Sequence, residues 1–425
     1  MSKKTILTGI TTTGIPHIGN YLGAIKPAID ASENPAYNSY FFLADYHALI
    51  KCHDPERVAE STRAIAATWL ALGLDTDKAT FYRQTDIPEI PELAWILTCQ
   101  TSKGLMNRAH AYKAAVDANR EAGREDLDDG VTMGLFSYPI LMAADILMFN
   151  ADIIPVGKDQ VQHIEMARDI AGRFNHQFES LLTLPEAQVN EETQLIPGLD
   201  GRKMSKSYDN TIPLFVESDE LYRLIKLIKT DSRGPGEPKD PDDSTLFQLY
   251  RCFASPTETE QMRKAFLEGI SWGDAKKQLF EYLDATLTGP RQQYKALMND
   301  LGYVEQILHK GAEKARTEAA RRLSAIRIAA GIRPLTYVAP RAQAEAEKKE
   351  KSAEELERIE AGRQRAILLQ LKPLLDQVAN ADDKPQAAKK LVAEKQAEVE
   401  QLKKKARQKA QNELDLLTQE LAEWL

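Results

Sequence analysis

Two periodicities of apolar residues alternate along the first 175 residues of the chain. Short apolar runs with the length of buried strands occupy residues 4–10, 39–45, 79–84 and 152–156. Between and after them, residues 17–30, 56–73, 91–102, 133–148 and 159–174 repeat apolar positions at helical spacing. Strands that alternate with helices predict an α/β fold, with a parallel sheet and helices on its faces.

The second half of the chain has a helical pattern. Residues 217–334 keep the helical period except in a loop rich in Gly, Pro and Asp at 231–243. By contrast, the stretch from Thr101 to Asp129 is polar and irregular, which is typical of an insertion or interface segment. We therefore predict a sheet domain followed by a second, all-helical domain.

A third region begins near Pro334, where the composition shifts to Ala, Glu, Lys, Gln and Leu. The pattern predicts two or three long, charged helices, with breaks at Pro373 and near residues 382–385. Basic residues cluster at 389–409, including Lys403-Lys404-Lys405. This cluster is either a solvated helix face or an arm that contacts RNA or another partner.

Composition places the chain among ordinary globular proteins. Its 425 residues, 43% hydrophobic and 28% charged, suffice for two or three domains. No apolar run approaches the roughly 20 residues that span a bilayer, and the N-terminus lacks a signal-peptide pattern. Three widely spaced cysteines favour neither a disulfide framework nor a zinc site. We expect a cytoplasmic protein without membrane contact.

The net charge of −8 argues against a nucleic-acid partner only at first sight. Acidic and basic residues balance from Arg341 onward, so the acidic excess lies in residues 1–340. Binding of a polyanion therefore requires local basic patches, which the sum of charges neither shows nor excludes.

The most informative motif is Lys203-Met204-Ser205-Lys206-Ser207, which follows the turn Gly198-Leu199-Asp200-Gly201. We call residues 203–207 the clamp. Its two lysines stand three positions apart among small hydroxyl residues, an arrangement that suits a polyphosphate gripped only while it leaves. By itself the clamp indicates phosphate chemistry and no particular substrate.

A second element with phosphate chemistry follows the first strand, at Thr11-Thr12-Thr13-Gly14-Ile15-Pro16-His17-Ile18-Gly19-Asn20. Pro16 fits the first turn of a helix, where free N–H groups attract phosphate. His17 and Asn20 lie one turn apart and can both donate to phosphate oxygens. Taken alone, His17 is better explained as a capping or surface histidine, but the presence of the clamp favours a phosphate contact. A P-loop is excluded, because Ile-Pro follows Gly14 where Lys-Ser/Thr is required.

A third element lies on the predicted helix 133–148. Tyr138, Met142 and Asp145 share one face of it, in apolar surroundings. A buried carboxylate needs a donor, which is either a structural partner or an N–H or O–H of a ligand. Nearby, Val156-Gly157-Lys158-Asp159-Gln160 forms a strand-to-helix turn, the position where open α/β sheets bind ligands.

The histidine turn after the first strand and the clamp after the last together resemble the joint signature of class I aminoacyl-tRNA synthetases. Within that class the chain is similar to the bacterial tryptophanyl-tRNA synthetases over residues 4–333. The stretches that carry this resemblance are 19–24, 45–48, 138–147, 154–160, 162–165, 230–232 and 311–315. The resemblance implies a Rossmann-like catalytic domain at 1–213 with an insertion near 101–130 and a helical anticodon-binding domain at 214–334. It leaves unexplained the charged helical extension that the composition predicts at 335–425.

The resemblance also implies roles for individual residues. The implied catalytic residues are His17, Asn20, Lys203 and Lys206. The implied ATP contacts are Thr11, Thr12, Thr13, Gly19, Asn20, Gly157, Lys158, Asp159, Leu195, Lys203, Met204, Ser205, Lys206 and Ser207. The implied tryptophan contacts are Leu7, Gly9, His47, Tyr138, Met142, Asp145, Val156 and Gln160. No resident metal is implied, since Mg²⁺ binds mainly through ATP oxygens.

Met142 separates the tryptophan enzymes from the similar tyrosine enzymes, which typically carry glutamine at this position of the helix face. A polarizable, apolar thioether suits an indole ring. Asp145 would then accept the indole N–H, and sites of this kind reject analogues without the group by roughly 10⁴–10⁵.

The chain also departs from the family pattern. Thr11-Thr12-Thr13 replaces the usual Gln-Pro-Ser, which puts the contacts of that glutamine in doubt. His17 stands where many bacterial members have threonine, and Lys113 is the nearest counterpart of the lysine that the family carries in its insertion.

The activity that the resemblance implies is two-step charging of tRNA(Trp) with L-tryptophan, through an adenylate made from ATP, by a homodimer. Two rivals are another α/β nucleotidyltransferase, which would share the histidine turn, and a non-catalytic synthetase-like binding protein. The helical region after the clamp argues against the first. The intact set His17, Asn20, Lys203 and Lys206 argues against the second.

Overall fold

The computed structural model of the chain describes residues 3–189, 196–332 and 353–425. Leu195, one of the predicted ATP contacts, lies outside these residues. The chain divides into two compact units, Met1–Ile332 and Arg333–Leu425. The predicted boundary between residues 213 and 214 falls inside the first unit and stays a prediction.

A parallel five-stranded sheet forms the centre of the first unit. Its strands are β1 (Lys4–Thr11), β2 (Tyr37–Ala44), β3 (Ala79–Arg83), β4 (Ile153–Val156) and β5 (Glu186–Val189), in the spatial order β3-β2-β1-β4-β5. The chain moves outward from β1 to β3 and then returns to the other side of β1, so a crevice opens where β1 and β4 end. The predicted α/β fold is confirmed.

The sequence pattern missed β5. Its four residues, Glu-Ala-Gln-Val, lie at the sheet edge with a burial pattern that alternates between exposed and half-buried. A strand this short, without a large apolar residue facing a core, carries too little periodic signal to be recognised.

Helices surround the sheet and continue to the end of the first unit. They are Ile18–Asn20, Lys26–Ser32, Asp45–Ala48, Pro55–Ala71, Glu89–Thr98, Lys103–Met106, His110–Glu121, Met133–Met148, Val161–Gln177, Ser218–Lys226, Thr245–Arg251, Pro256–Leu267, Trp272–Asn299 and Leu301–Ala329. A π-helical turn lies at Tyr21–Ile25, and 3₁₀ turns lie at Gln84–Asp86, Lys158–Gln160 and Lys206–Tyr208.

The segment predicted to be irregular, 101–129, contains the helices Lys103–Met106 and His110–Glu121. The longer of the two buries only Asn119, whose amide donates to the carbonyl oxygens of Leu127 and Asp129 at 2.9 and 2.8 Å. Its inward face, at Tyr112, Ala115, Val116 and Asn119, has helical spacing but carries only two large apolar side chains, so the pattern is weak among the polar residues around it.

Both faces of the sheet are buried, and β2 shows how. Phe41 and Leu43 pack on one face in a cluster with Trp69, whereas Tyr40 and Phe42 pack on the other. Burial of one such side chain stabilises the fold by about 1.5–3 kcal/mol. Because both of its faces are buried, β2 has a continuous run of apolar residues rather than an alternation of apolar and polar ones.

The long helix Leu301–Ala329 packs across the edge strand β3. At Gly311 the approach is so close that a Cβ atom would lie 1.7 Å from the carbonyl oxygen of Phe81. Only glycine permits this contact. The helix thereby covers an edge that would otherwise expose unpaired backbone groups.

The second unit is a set of three helices, Ala353–Ala379, Lys384–Gln401 and Lys404–Glu420. They share a small core of Leu371, Val378, Ala388, Leu417 and Leu421. The predicted break near 382–385 is found, but the one at Pro373 is wrong, because the first helix continues through that proline. Leu371 and Val378, on either side of it, both bury in the shared core and hold the helix together.

Of the helices within the described residues, none has both the length and the apolar character needed to cross a membrane.

Candidate active site

The crevice between β1 and β4 opens into a cavity of about 910 Å³. All eight predicted tryptophan contacts line it: Leu7, Gly9, His47, Tyr138, Met142, Asp145, Val156 and Gln160. The residues therefore converge from β1, the end of β2, the helix Met133–Met148 and the turn after β4. Gly9 is required here, since a Cβ atom would lie 2.4 Å from the Phe42 ring.

Asp145 lines this cavity and is only 1% exposed. His47 Nε2 is 3.0 Å from Asp145 Oδ2, and Gln84 Nε2 donates to both carboxylate oxygens at 2.8 and 2.9 Å. Burial raises the pKa of Asp145, and the bonds from His47 and Gln84 oppose that rise. Asp145 thus has structural donors, as one of the two sequence interpretations expects, and it also lines the cavity, where its contact with a ligand N–H or O–H stays a prediction.

Gln84 is a residue of this site that the sequence did not indicate. It is fully buried, and its Oε1 accepts from the backbone N–H of Tyr46 at 3.1 Å, which turns its Nε2 toward Asp145. Gln84 directly follows β3, at the same sheet edge where His47 follows β2. A polar residue immediately after a buried strand was the available signal.

Tyr138 and Gln160 form a second polar wall, and His163 lies behind them. Tyr138 Oη is 2.7 Å from His163 Nε2, and Gln160 Oε1 is 2.8 Å from His163 Nδ1. His163 is 5% exposed and is absent from the cavity lining. It was noted only as part of a resembling stretch and was not predicted as a site residue.

A second cavity of about 640 Å³ adjoins the first and shares Thr11, Gly19, Asn20 and Lys203 with it. It brings the histidine turn and the clamp together. Thr13, His17, Ser205, Lys206, Ser207 and Tyr208 complete its polar and cationic lining, and Met204 adds an apolar side chain. The remaining predicted ATP contacts Gly157, Lys158 and Asp159 line the larger cavity.

Two residues that the sequence analysis named lie outside the lining of both cavities. Thr12 is fully buried and lines neither cavity. Lys113 is exposed on the helix His110–Glu121 and also lines neither cavity.

His17 caps the helix that it precedes. Its Nδ1 accepts from the Asn20 N–H at 3.3 Å, while Asn20 Oδ1 accepts from the His17 N–H at 3.1 Å. Burial, and secondly the charge of Lys206, lowers the pKa of His17 to about 4. A neutral ring that accepts at Nδ1 carries its proton on Nε2. The cap and the predicted phosphate contact are therefore compatible, because the second nitrogen remains a donor.

The clamp contacts the histidine turn at two points. Met204 is 5% exposed, and its Sδ accepts from the Gly19 N–H at 3.3 Å. A Cβ atom on Gly14, where φ is +152°, would lie 2.6 Å from Lys206 Nζ. Burial, and secondly the charge of Arg57, lowers the pKa of Lys206. Lys206 therefore meets the backbone directly after β1.

Asn210, also missed by the sequence analysis, holds the clamp loop together. It is 2% exposed, its Oδ1 accepts from the Ser205 N–H at 2.8 Å, and its Nδ2 donates to Asp200 at 2.7 Å and to the Lys203 carbonyl at 3.1 Å. The bond from Asn210, together with those from Arg202, lowers the pKa of Asp200 to about 2. The clamp is thus a built loop rather than a free cationic segment.

Comparison with known proteins agrees with this geometry. A tryptophan--tRNA ligase of Neisseria meningitidis is 60% identical over 335 residues, covering 79% of this chain and 100% of the relative. One of Pseudomonas aeruginosa is 62% identical over 333 residues, covering 78% of this chain and 74% of the relative.

Among solved structures, the tryptophanyl-tRNA synthetase from Campylobacter jejuni complexed with ADP and tryptophan is 40% identical with a TM-score of 0.70, covering 77% of this chain and 99% of that one. The family model for the class I tRNA synthetases (W and Y) matches residues 2–288, which include the sheet, the histidine turn and the clamp. With this match and relatives of such identity, the chain belongs to the class I tRNA synthetases (W and Y).

Proposed function

We propose that this chain is a tryptophan--tRNA ligase, which activates L-tryptophan with ATP and transfers it to tRNA(Trp). The observation that carries the proposal is the Asp145 end of the larger cavity. There a buried Asp145 carboxylate faces a space lined by Met142, with no second polar residue between Tyr138 and Asp145 on that helix face. This end suits a bicyclic apolar ring with a single N–H.

The bonds to Asp145 set the degree of selectivity. Because His47 and Gln84 already donate to this carboxylate, a ligand without an N–H does not leave it unpaired. We therefore expect rejection of such an analogue by about 10²-fold, the scale of one hydrogen bond to a charged group. This is weaker than the 10⁴–10⁵ expected for a carboxylate with no other donor.

In the first step, the tryptophan carboxylate attacks the α-phosphorus of ATP. A carboxylate oxygen–phosphorus bond forms, and the bond from the α-phosphorus to the bridging oxygen breaks, so pyrophosphate leaves with the electron pair. The nucleophile is already ionised, and the reaction needs alignment and charge stabilisation rather than a general base. Lys203, Lys206 and the His17 Nε2–H line the cavity where the departing charge grows.

Magnesium would enter the site bound to ATP, as part of the substrate. The smaller cavity presents lysines, hydroxyls, an amide and an imidazole. Within the described ranges no group of three or more His, Cys, Asp or Glu side chains is placed to hold a metal ion. This donor set does not fit a resident metal, so ATP carries the ion through its own phosphate oxygens.

In the second step, the terminal ribose 2′-hydroxyl of the tRNA attacks the acyl carbonyl, and AMP leaves. The helices from Ser218 to Ala329 are the proposed contact for the anticodon, whose splayed bases are read by stacking and by their edges. The homodimer and the cytoplasmic location stay predictions of the sequence.

The direct test is ATP–pyrophosphate exchange with the full-length chain. Tryptophan should drive the exchange, whereas tyrosine at equal concentration should not. Exchange driven by tyrosine would overturn the substrate assignment, and a lack of exchange with every amino acid would overturn the enzyme assignment.

A further inference from the structure

His163 connects the two residues of the second polar wall without reaching the cavity itself. It lies in the first turns of the helix Val161–Gln177, and its ring meets the Tyr138 ring edge-on, with centroids 5.3 Å apart and an interplanar angle of 66°. Both ring nitrogens are within hydrogen-bond distance of a polar atom, Nε2 of Tyr138 Oη at 2.7 Å and Nδ1 of Gln160 Oε1 at 2.8 Å. The proposed reaction gives His163 no part in the chemistry, and yet it is buried in contact with two lining residues.

The hydrogen-bond partners determine where each proton of this group lies. Gln160 Nε2 donates to Asp159 Oδ2 at 3.1 Å, so the amide oxygen is the atom that faces His163. A carbonyl oxygen can only accept, and therefore His163 carries its proton on Nδ1. In a neutral ring Nε2 must then accept, which makes the Tyr138 hydroxyl the donor.

The surroundings favour that neutral ring. Burial lowers the pKa of His163, and the nearby His110 and His47 lower it further, whereas Asp159 acts in the opposite direction. A second proton would have to sit on Nε2, facing the Tyr138 hydroxyl, and would reverse that bond.

We propose that His163 is a positioning residue, which orients Tyr138 and Gln160 so that both present oxygen lone pairs to the α-ammonium of the amino acid. The Tyr138 proton points to His163, so the remaining lone pairs of its oxygen are available to the cavity. Gln160 Oε1 likewise accepts from His163 with one lone pair and keeps the other. The inference rests on the proposed function, since it assumes that an amino acid occupies this cavity.

Three substitutions of His163 in the full-length chain distinguish its hydrogen bond with Tyr138 from its hydrogen bond with Gln160. His163→Phe removes both. His163→Gln places an amide oxygen near the position of Nε2 and can still accept from Tyr138, whereas His163→Asn places an amide nitrogen near Nδ1 and can still donate to Gln160. His176→Phe is the matched control, because His176 is exposed on the same helix.

The measurement is the KM for tryptophan and for ATP in pyrophosphate exchange. His163→Phe should raise the KM for tryptophan by about 10- to 100-fold and leave the KM for ATP within about twofold. His163→Gln and His163→Asn should each recover part of the loss. The double variant Tyr138→Phe/His163→Phe should lose less than the product of the two single losses, since His163 acts partly through that hydroxyl.

An unchanged KM for tryptophan in His163→Phe would overturn the inference, and so would an equal rise of both KM values. If His163→Phe does not fold, the test uses His163→Gln and His163→Asn instead. An unchanged KM for tryptophan in both of these variants would then overturn the inference. Wild-type exchange separates this inference from the proposed function. If the wild type lacks tryptophan-dependent exchange, both fail, and if it is active, only the role of His163 is in question.

Discussion

The two ends of the active site differ in how far they are assembled before a substrate arrives. At the proposed tryptophan end, the buried Asp145 is hydrogen-bonded to both Gln84 and His47. At the proposed phosphate end, Asn210 holds the backbone of the clamp loop, but the side chains of Lys203 and Lys206 are exposed. The first arrangement suits selection of a ring by shape and one hydrogen bond. The second suits stabilisation of a charge that moves during the reaction.

The contrast predicts different kinetic consequences at the two ends. A side chain that acts on the departing pyrophosphate should change kcat with little effect on amino-acid binding. A side chain of the preassembled network should change the discrimination between amino acids. The predictions that follow test this separation, beginning with the largest effect.

Removal of a clamp charge should have the largest effect. Lys206→Ala should lower the kcat of tryptophan-dependent exchange by about 10²- to 10³-fold, because loss of one preorganised donor to a developing charge costs that much. The KM for tryptophan should change by less than about threefold. Lys264→Ala, which alters an exposed lysine paired with Glu268 at 3.6 Å, is the control and should behave as wild type. A rise in the KM for tryptophan with unchanged kcat would contradict the separation of the two ends.

The buried imidazole of the phosphate end should make stability depend on pH. Burial lowers the pKa of His17 to about 4 in the folded chain, from the ordinary histidine value of 6.5. Between these values the unfolded chain binds a proton that the folded chain does not, so stability falls as the pH decreases from about 7 toward 4. The loss amounts to at most about 3 kcal/mol.

His17→Gln removes this contribution and keeps a side chain that can accept or donate. Urea unfolding at pH 7.5 and pH 4.5 should show that the wild type loses about 2–3 kcal/mol more than the variant over this interval. An identical loss in both proteins would mean that His17 is not a buried neutral group.

The sequence indicated the motifs at both ends of the proposed active site but not the hydrogen bonds within them. The clamp and the histidine turn have several chemically distinctive residues at fixed spacing, and Met142 and Asp145 share a helix face, so each could be recognised from local pattern. Gln84 and Asn210 are single polar residues without a recurring spacing. Their partners are chosen by tertiary packing, which places Gln84 beside a residue of another helix.

The same limit applies to the fold. Strands β2 and β3 are buried on both faces, which produces continuous apolar runs in the sequence, and the shorter or less buried β1 and β4 still contain apolar pairs or triplets. The edge strand β5 has no buried residue, and the inward face of the helix His110–Glu121 carries only two large apolar side chains, so both leave weak patterns. The predicted break at Pro373 was wrong because residues on both sides of this proline pack into the shared core and keep the helix continuous.

Removal of the second unit should have the smallest effect. All described residues that line the two cavities belong to the unit Met1–Ile332, and the Neisseria meningitidis relative is matched over its whole length by 335 residues. A chain that ends at Ile332 should therefore retain tryptophan-dependent exchange within about twofold of the full-length chain. A loss of more than tenfold in a folded truncation would show that residues 333–425 contribute to the active site.

Asp145 is proposed to select tryptophan through its indole N–H. This role is tested by the ratio of kcat/KM for tryptophan to that for 3-benzothienylalanine, which has sulfur in place of the N–H. In the wild type this ratio should be about 10², and in Asp145→Ala it should fall below about 10, since the acceptor is gone. A wild type that uses both amino acids equally well, or an Asp145→Ala variant that keeps the wild-type ratio, would contradict the account.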